Sequence, residues 1–345
     1  TGADGDADQL VIARHLATAL GIPIEQTLAQ STGIIGLRLP IDVVAGGIDA
    51  LAPLLGPEDE GLRAAAEAIR TTDSTTKTAT TEAATGGFHV AGIAKGVGMI
   101  HPRMATMLAV LLTDAAVEPA TLHAILRDAT TRTWNQLSVD GDTSTNDTVF
   151  LLASGAGGEP PVEAGSAAAD RLAAAVEAVA RDLARQQAAD GEGATTLITC
   201  QVSGARDDAE ARAVARAVVS SSLVKAAAHG RDPNWGRIAG AAGNAHLASF
   251  AALVAAGLSP DAARRRAGEP VPVDPARLRI AVAGIPVFSG PDGGPQAFDA
   301  GAIRVAMEAP ELLLRLDLGL GGGTGEAFGC DLSEAYVTEN SEYTT

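Results

Sequence analysis

Residues 91–115 read AGIAKGVGMIHPRMATMLAVLLTDA, and the patterns on either side of their centre decide the fold. GGFHVAGIAKG (86–96) alternates like a strand and ends in glycines. MLAVLLTDA (107–115) is a short continuous apolar run, which predicts a strand buried on both faces. Between them, glycines, a proline and short side chains lead to a single hydroxyl, Thr106. A turn feeding a strand is the plain reading. The sharper one is that Thr106 is a nucleophile, one that becomes a chain terminus. Position alone leaves both open.

Working outward, DADQLVIARHLATALG has helical apolar spacing, an acidic start and a glycine stop, and predicts a helix from about Asp6 to Leu20. Further helices are expected near 42–54, 59–70 and 118–134, and a long amphipathic one within 167–191. TTLITCQVSG (195–204) reads as a strand and residues 205–230 as one or two helices. LASFAALVAAGL (247–258) suits a buried helix, SPDAARRRAGEPVPVDPARL (259–278) a loop or linker, and RLRIAVAGIPVFSG (277–290) a strand. This interspersion predicts an α/β (α+β) layered sandwich, helices packed around stacked sheets, with a smaller C-terminal domain from about residue 245.

Composition narrows the function. The chain has 345 residues, 46% hydrophobic, with only 3% aromatic, so its core must be aliphatic. The net charge of −17 repels phosphate backbones and argues against a nucleic-acid partner, while leaving room for a zwitterionic substrate in a local pocket. Two distant cysteines, Cys200 and Cys330, form no zinc or disulfide pattern and suit a reducing cytoplasm. No apolar run reaches the ~18 residues that span a bilayer. The chain opens TGADGDAD without a methionine, as a fragment or trimmed product would.

Single motifs are weak. AKGVGM lacks the G-K-[ST] of a phosphate loop, and GLGGGTG (319–325) lacks G-x-G-x-x-G spacing. DGDTSTND (140–147) carries three aspartates but has Ser144 and Thr145 where a calcium loop needs its fifth ligand and its glycine, so it reads as a hydrogen-bonded turn. The six histidines show no metal-site pairing and read as exposed or structural. QSTGIIG (30–36) offers a hydroxyl and a free N–H of the kind an oxyanion hole needs, a pattern that ordinary loops share. DGEGA (190–194) sets Glu192 between glycines, either a solvated turn or a place where a ligand approaches the backbone. DPNWGR (232–237) reads as a helix entry with Asp232 as cap and Pro233 at the first helical position.

In order, STGIIG, TTD, GIAKGVGMIHPRMATML, DGDTSTNDT, DGEGA, VKAAAHGRDPNWGRI and the terminal GCDLSEAYVTENSEYTT closely resemble the ornithine acetyltransferase family, over nearly the whole chain. That family includes the bifunctional glutamate N-acetyltransferase/N-acetylglutamate synthase of arginine biosynthesis. Its members carry several dozen residues ahead of the TG that opens this chain, so the resemblance implies an incomplete chain. A paralogue in clavulanic-acid-type biosynthesis shares the motifs.

The resemblance implies an N-terminal-nucleophile enzyme that cuts itself between Ala105 and Thr106, giving an α chain of 1–105 and a β chain of 106–345 assembled as an α2β2 heterotetramer in the cytoplasm. Cleavage would turn the Thr106 amide into an α-amine of pKa about 7.7–8.0, a built-in base for its own hydroxyl. Ping-pong acyl transfer would follow, from N2-acetylornithine to Thr106 and then to glutamate, with neither metal nor cofactor. Acetyl-CoA stays open as a second acetyl donor. By the same resemblance Thr32 (hydroxyl) and Gly33 (N–H) form the oxyanion hole. Substrate contacts fall on Thr71 of TTD, with Thr72 the alternative by one place, and on Lys95, Thr106, Glu192, Asn340 and Thr345. The rivals are an aminopeptidase or amidohydrolase of the same architecture, and a binding protein that never cleaves itself.

Overall fold

The computed structural model describes residues 4–56, 58–82, 87–104, 106–255 and 257–342. Its strands, in chain order, are β1 (Lys77–Glu82), β2 (His89–Lys95), β3 (Leu108–Thr113), β4 (Leu137–Ser138), β5 (Thr148–Ala153), β6 (Leu197–Ala205), β7 (Arg279–Val282), β8 (Ile285–Ser289), β9 (Gly294–Pro295), β10 (Glu311–Asp317) and β11 (Gly323–Cys330). Two sheets result. The smaller runs β1-β2-β3-β5 and the larger β4-β11-β6-β10-β7-β8-β9. Strands β7 to β11, all beyond residue 245, extend the sheet that holds β4 and β6.

The layers are sheet, helix, sheet, helix. Helix Ala167–Ala189 repeats alanine and aliphatic residues at helical spacing, and Leu172, Val176, Val179, Ala180 and Leu183 are buried along it. It packs on β1 and β2 and also on β11, β6 and β4, so one element fills the space between the sheets. Helix Asp208–Val219 covers the other face of β6 and β11, burying Val214, Val218 and Val219. Alternate residues of β6 therefore enter two cores: Leu197 joins the first, while Ile198, Cys200 and Val202 join the second.

Several expectations needed correction. The strand at 108–113 is not buried on both faces: Leu112 is 37% exposed, as is Leu152 beside it on β5 at 43%. Helices Pro119–Arg132 and Ala167–Ala189 cover only the face that carries Ala109 and Leu111. The expected linker at 259–278 begins as a helix, Pro260–Arg266, because Ser259 accepts from the Ala262 N–H and proline occupies the first turn. In DPNWGR the cap is Asn234, not Asp232, since Asn234 Oδ1 accepts from Arg237 N at 3.2 Å. The 277–290 strand is a hairpin of β7 and β8, turning at Ala283 and Gly284, both at positive φ.

Helices Gly5–Leu20 and Ile41–Leu51 pack on each other, and Arg38 clamps the buried Asp8 with two hydrogen bonds of 2.7 and 2.5 Å. Val43, Leu51, Leu54 and Leu55 remain exposed there.

Candidate active site

Topology brings one end of the smaller sheet to a point. β2 runs antiparallel to β3 with Lys95 opposite Leu108, and β5 runs parallel to β3 with Thr148 opposite Leu108. The end of β2, the start of β3 and the start of β5 thus meet, and β1 adds its own start through Lys77 opposite Ala94. Thr106, two residues ahead of β3, sits at that point.

Its surroundings are polar and mostly buried. The Thr106 N–H donates to Ser144 Oγ and to Asp147 Oδ1, and the Thr106 hydroxyl donates to Ser144 Oγ. Met107 N also donates to Asp147 Oδ1, at 2.9 Å, while Asp147 Oδ2 is buried without a partner. Burial outweighs the hydrogen bonds from Met107 and Thr106 and lifts the Asp147 carboxyl to a pKa of about 7. Lys95 is 1% exposed and donates to the Thr106 carbonyl oxygen at 3.3 Å. Burial holds its ammonium below the usual lysine value, with Asp73, Glu192 and Asp147 nearby opposing that fall.

Glu192 stands opposite. Its carboxylate accepts from the Thr72 hydroxyl at 2.8 Å and from Asn340 Nδ2 at 2.9 Å. The flanking glycines serve the protein's own packing: a Cβ on Gly193 would collide with the Tyr336 backbone, and one on Gly191 would strike Cys330 Sγ. Beneath lies a trio around the buried Lys77. Lys77 donates to Asp73 at 2.8 Å and to Asp190 at 2.6 Å, and Asp73 Oδ1 also accepts from Gly96 N at 2.9 Å. This cluster ties the TTD turn to the end of β2. Replacing Lys77 with Met would leave the buried Asp73 and the half-buried Asp190 without their cation, so we expect a loss of about 3–5 kcal/mol of unfolding free energy, read by urea denaturation.

The backbone ahead of Thr106 is strained. Met104 has φ 74° and Met99 φ 52°, a region costly for side-chain-bearing residues. The Asp140 carboxylate pins Met99 and Ile100 by accepting from their N–H groups at 2.6 and 3.1 Å. His101 contacts Ser138 Oγ through Nδ1 at 3.0 Å, and burial drops its pKa to about 3, which keeps it neutral.

The structure brings together Lys95, Thr106, Glu192 and Asn340 at this end of the sheet, with Thr72 rather than Thr71 bonded to Glu192. Thr71 contributes only its N–H, to Asp73 at 3.4 Å. Thr32 is half-buried and Gly33 exposed with open space around it, and among the described residues neither bonds to Thr106. Ala105 and Thr345 lie outside the described residues. Ser144 and Asp147 were missed as site residues because a polar turn between helix and strand looks the same whether or not it faces a nucleophile.

Comparison with known proteins agrees with the seven ordered motifs. The family model for the ArgJ family matches residues 1–345. The chain belongs to the ArgJ family. It is similar to the arginine biosynthesis bifunctional protein ArgJ of Thermus thermophilus, 45% identical over all of this chain and 80% of the relative's length. The ArgJ protein of Thermosynechococcus vestitus is 44% identical over the same shares, and the chloroplastic one of Ricinus communis 41% identical over 70% of its length. The crystal structure of ArgJ from Bacillus halodurans superposes with a TM-score of 0.57 at 35% identity, over 67% of this chain and 96% of that one.

Proposed function

We infer that this protein is a glutamate N-acetyltransferase and N-acetylglutamate synthase of arginine biosynthesis, working through an acetyl ester on Thr106. Family membership supports the activity class. The observation that carries the assignment to Thr106 is that its nitrogen and its hydroxyl share Ser144 Oγ as a partner, with Asp147 accepting from the nitrogen and the cation of Lys95 close by.

Cleavage between Ala105 and Thr106 frees the nitrogen that Asp147 and Ser144 already hold. The positive φ of Met104 puts strain on the residue just ahead of the pair that bond joins. As an amine, the nitrogen takes the proton of the Thr106 hydroxyl while Oγ attacks the acetamide carbon of N2-acetylornithine. The C–N bond breaks, ornithine leaves with that proton, and the acetyl group stays as an ester. The amine of glutamate then attacks the ester, the C–O bond breaks and the hydroxyl is restored. One amide replaces another, so no energy source is needed.

Ornithine and glutamate share an α-carboxylate and an α-amine, and one cation (Lys95) and one anion (Glu192) suit those shared groups. Thr72 and Asn340 aim the Glu192 carboxylate, and Thr71 and Thr345 complete the contacts proposed for substrate. Glu192→Gln keeps the shape and loses the charge. It should raise KM for both substrates by roughly 10- to 100-fold with a smaller change in kcat, as steady-state kinetics with each substrate varied would show.

Thr32 and Gly33 are the proposed oxyanion donors. Thr32→Ala separates two cases: a fall of about 10²–10³ in kcat places its hydroxyl on the oxyanion, and an unchanged kcat removes it from the mechanism. Acetyl-CoA is the proposed second acetyl donor, and no other cofactor enters. The two chains, 1–105 and 106–345, are proposed to assemble as a cytoplasmic α2β2 heterotetramer. Residues 106–345 are 240 of the 345, close to the share of this chain that matches nearly all of the Bacillus halodurans polypeptide.

The test is denaturing intact-mass analysis before and after N2-acetylornithine, followed by assay with and without glutamate. Two chains split at Ala105–Thr106 and a gain of one acetyl group on the second support the reading. Release of acetate to water regardless of glutamate would make the protein an amidohydrolase.

A further inference from the structure

A cavity of about 350 Å³ lies between helix Pro119–Arg132, helix Asp208–Val219 and the segment 247–253; its lining shares no residue with the Glu192 cluster but includes Met104, two residues ahead of Thr106. Arg103, Arg127, Arg212 and Arg216 all line it, and none of its described lining residues is acidic. In a chain with 42 acids and 25 bases, four converging arginines without a carboxylate run against the overall charge.

Direct ion pairs are scarce among these cations. Among the described residues Arg103, Arg212 and Arg216 have no carboxylate within ion-pair distance, and Arg127 reaches only its neighbour Asp128, at 3.7 Å. Arg216 is 5% exposed: one Nη donates to the His101 carbonyl oxygen at 3.1 Å, and its Nε–H is buried without a partner. Arg127 Nε makes no hydrogen bond either and has only Asp128 Oδ1 at 3.7 Å. Burial lowers the pKa of Arg216 to about 9, so it still carries charge near neutrality, and it lowers that of the half-buried Arg212 as well, with Asp208, Asp207 and Glu177 opposing the fall. Arg216 is thus a buried cation without a counter-charge, which is costly, and orphaned donors such as its Nε–H are rare in native proteins.

Two more groups narrow the ligand. Asn135 Oδ1 and Gln136 Oε1 are buried acceptors without donors on the same wall. The remaining lining is largely aliphatic, Leu126 and Leu253 among it. We propose that this cavity is a binding site for a small organic oxyanion, a carboxylate or phosphate that also carries an N–H or O–H donor and an apolar body. The arginines take the oxyanion, Asn135 and Gln136 take the donor, and the aliphatic wall takes the rest. Arg212 and Arg216 lie one helical turn apart and present the same face, the spacing that lets two guanidinium groups grip one anion.

The experiment uses the full chain, with three probes in separate titrations at constant ionic strength: inorganic phosphate, coenzyme A and N-acetylglutamate. Thermal melting and equilibrium dialysis give the affinity for wild type, Arg216→Gln, Arg212→Gln and Arg127→Gln. We expect at least one probe to bind saturably and stabilise the wild type, with affinity falling about 10- to 100-fold in Arg216→Gln and also falling in the other two. Response to phosphate and coenzyme A alone assigns a phosphate source, and response to N-acetylglutamate alone a carboxylate source. Should Arg216→Gln fail to fold, Arg212 and Arg127, on two different helices, carry the same test. The proposal is overturned if no probe stabilises the wild type, or if affinity is unchanged in the arginine variants. Binding of coenzyme A or N-acetylglutamate that survives all three arginine substitutions belongs to the Thr106 site instead, so the variants separate this site from the activity at Thr106.

Discussion

Thr106→Ala should leave a single uncut chain and lower acetyl transfer by about 10⁴-fold or more, the scale on which removal of a covalent nucleophile acts. Both effects come from one side chain. Without Oγ nothing attacks the bond to Ala105, so the amide that Asp147 and Ser144 hold never becomes an amine. Without Oγ there is also no ester to store the acetyl group. Thr106→Ser separates chemistry from packing, because serine keeps the hydroxyl and loses one methyl group. It should retain cleavage and a measurable fraction of the transfer rate. Cleavage of Thr106→Ala at the same bond, seen in its mass, would show that another group does the cutting and would remove the basis for Thr106 as the nucleophile.

Asp147→Asn should lower kcat by roughly 10²–10⁴, the range typical of a positioned acid–base group. The amide keeps an oxygen to accept from Met107 N and preserves the size of the side chain, so the change is mainly one of charge. In the cleaved enzyme the carboxylate would face the Thr106 amine, and losing it removes the group that orients that amine. Stability in the uncut Thr106→Ala background isolates the same carboxyl. Its folded pKa is raised to about 7, above the unfolded value, so the folded state holds the proton longer than the unfolded chain. The stability this contributes is fully present below about pH 4 and is lost as pH rises to about 7. Added to that background, Asp147→Asn should therefore gain stability relative to it across this interval, and urea melts at several pH values would show the gap widening. A gap that narrows or stays flat would mean that the carboxyl is ionised at low pH and that its hydrogen bonds outweigh burial.

Much of this was legible from local pattern. Helical periodicity and a glycine stop marked Gly5–Leu20, and the alanine-rich repeat marked Ala167–Ala189, because a 3.6-residue period needs only neighbours in sequence. The two strands around Thr106 were visible for the same reason, as was the series of motifs that marks the family. Caps were harder. Asp232 and Asn234 are both good capping residues, and only the bond from Arg237 N chooses between them.

What sequence alone determined is therefore most of the elements, the family and a Thr106 that stands out between glycines and an apolar strand. Tertiary structure alone decided which side chains meet there. The parallel pairing of β3 with β5 carries Ser144 and Asp147 to Thr106 across about 40 positions of chain, and a close packing of 192 against 72 and 340 chooses Thr72 over Thr71. It also decided that one face of β3 stays open at Leu112 and that four arginines from separate segments share a cavity. Such contacts depend on sheet register and on the way helices cross, which no local period encodes, so they appear only when the chain closes on itself.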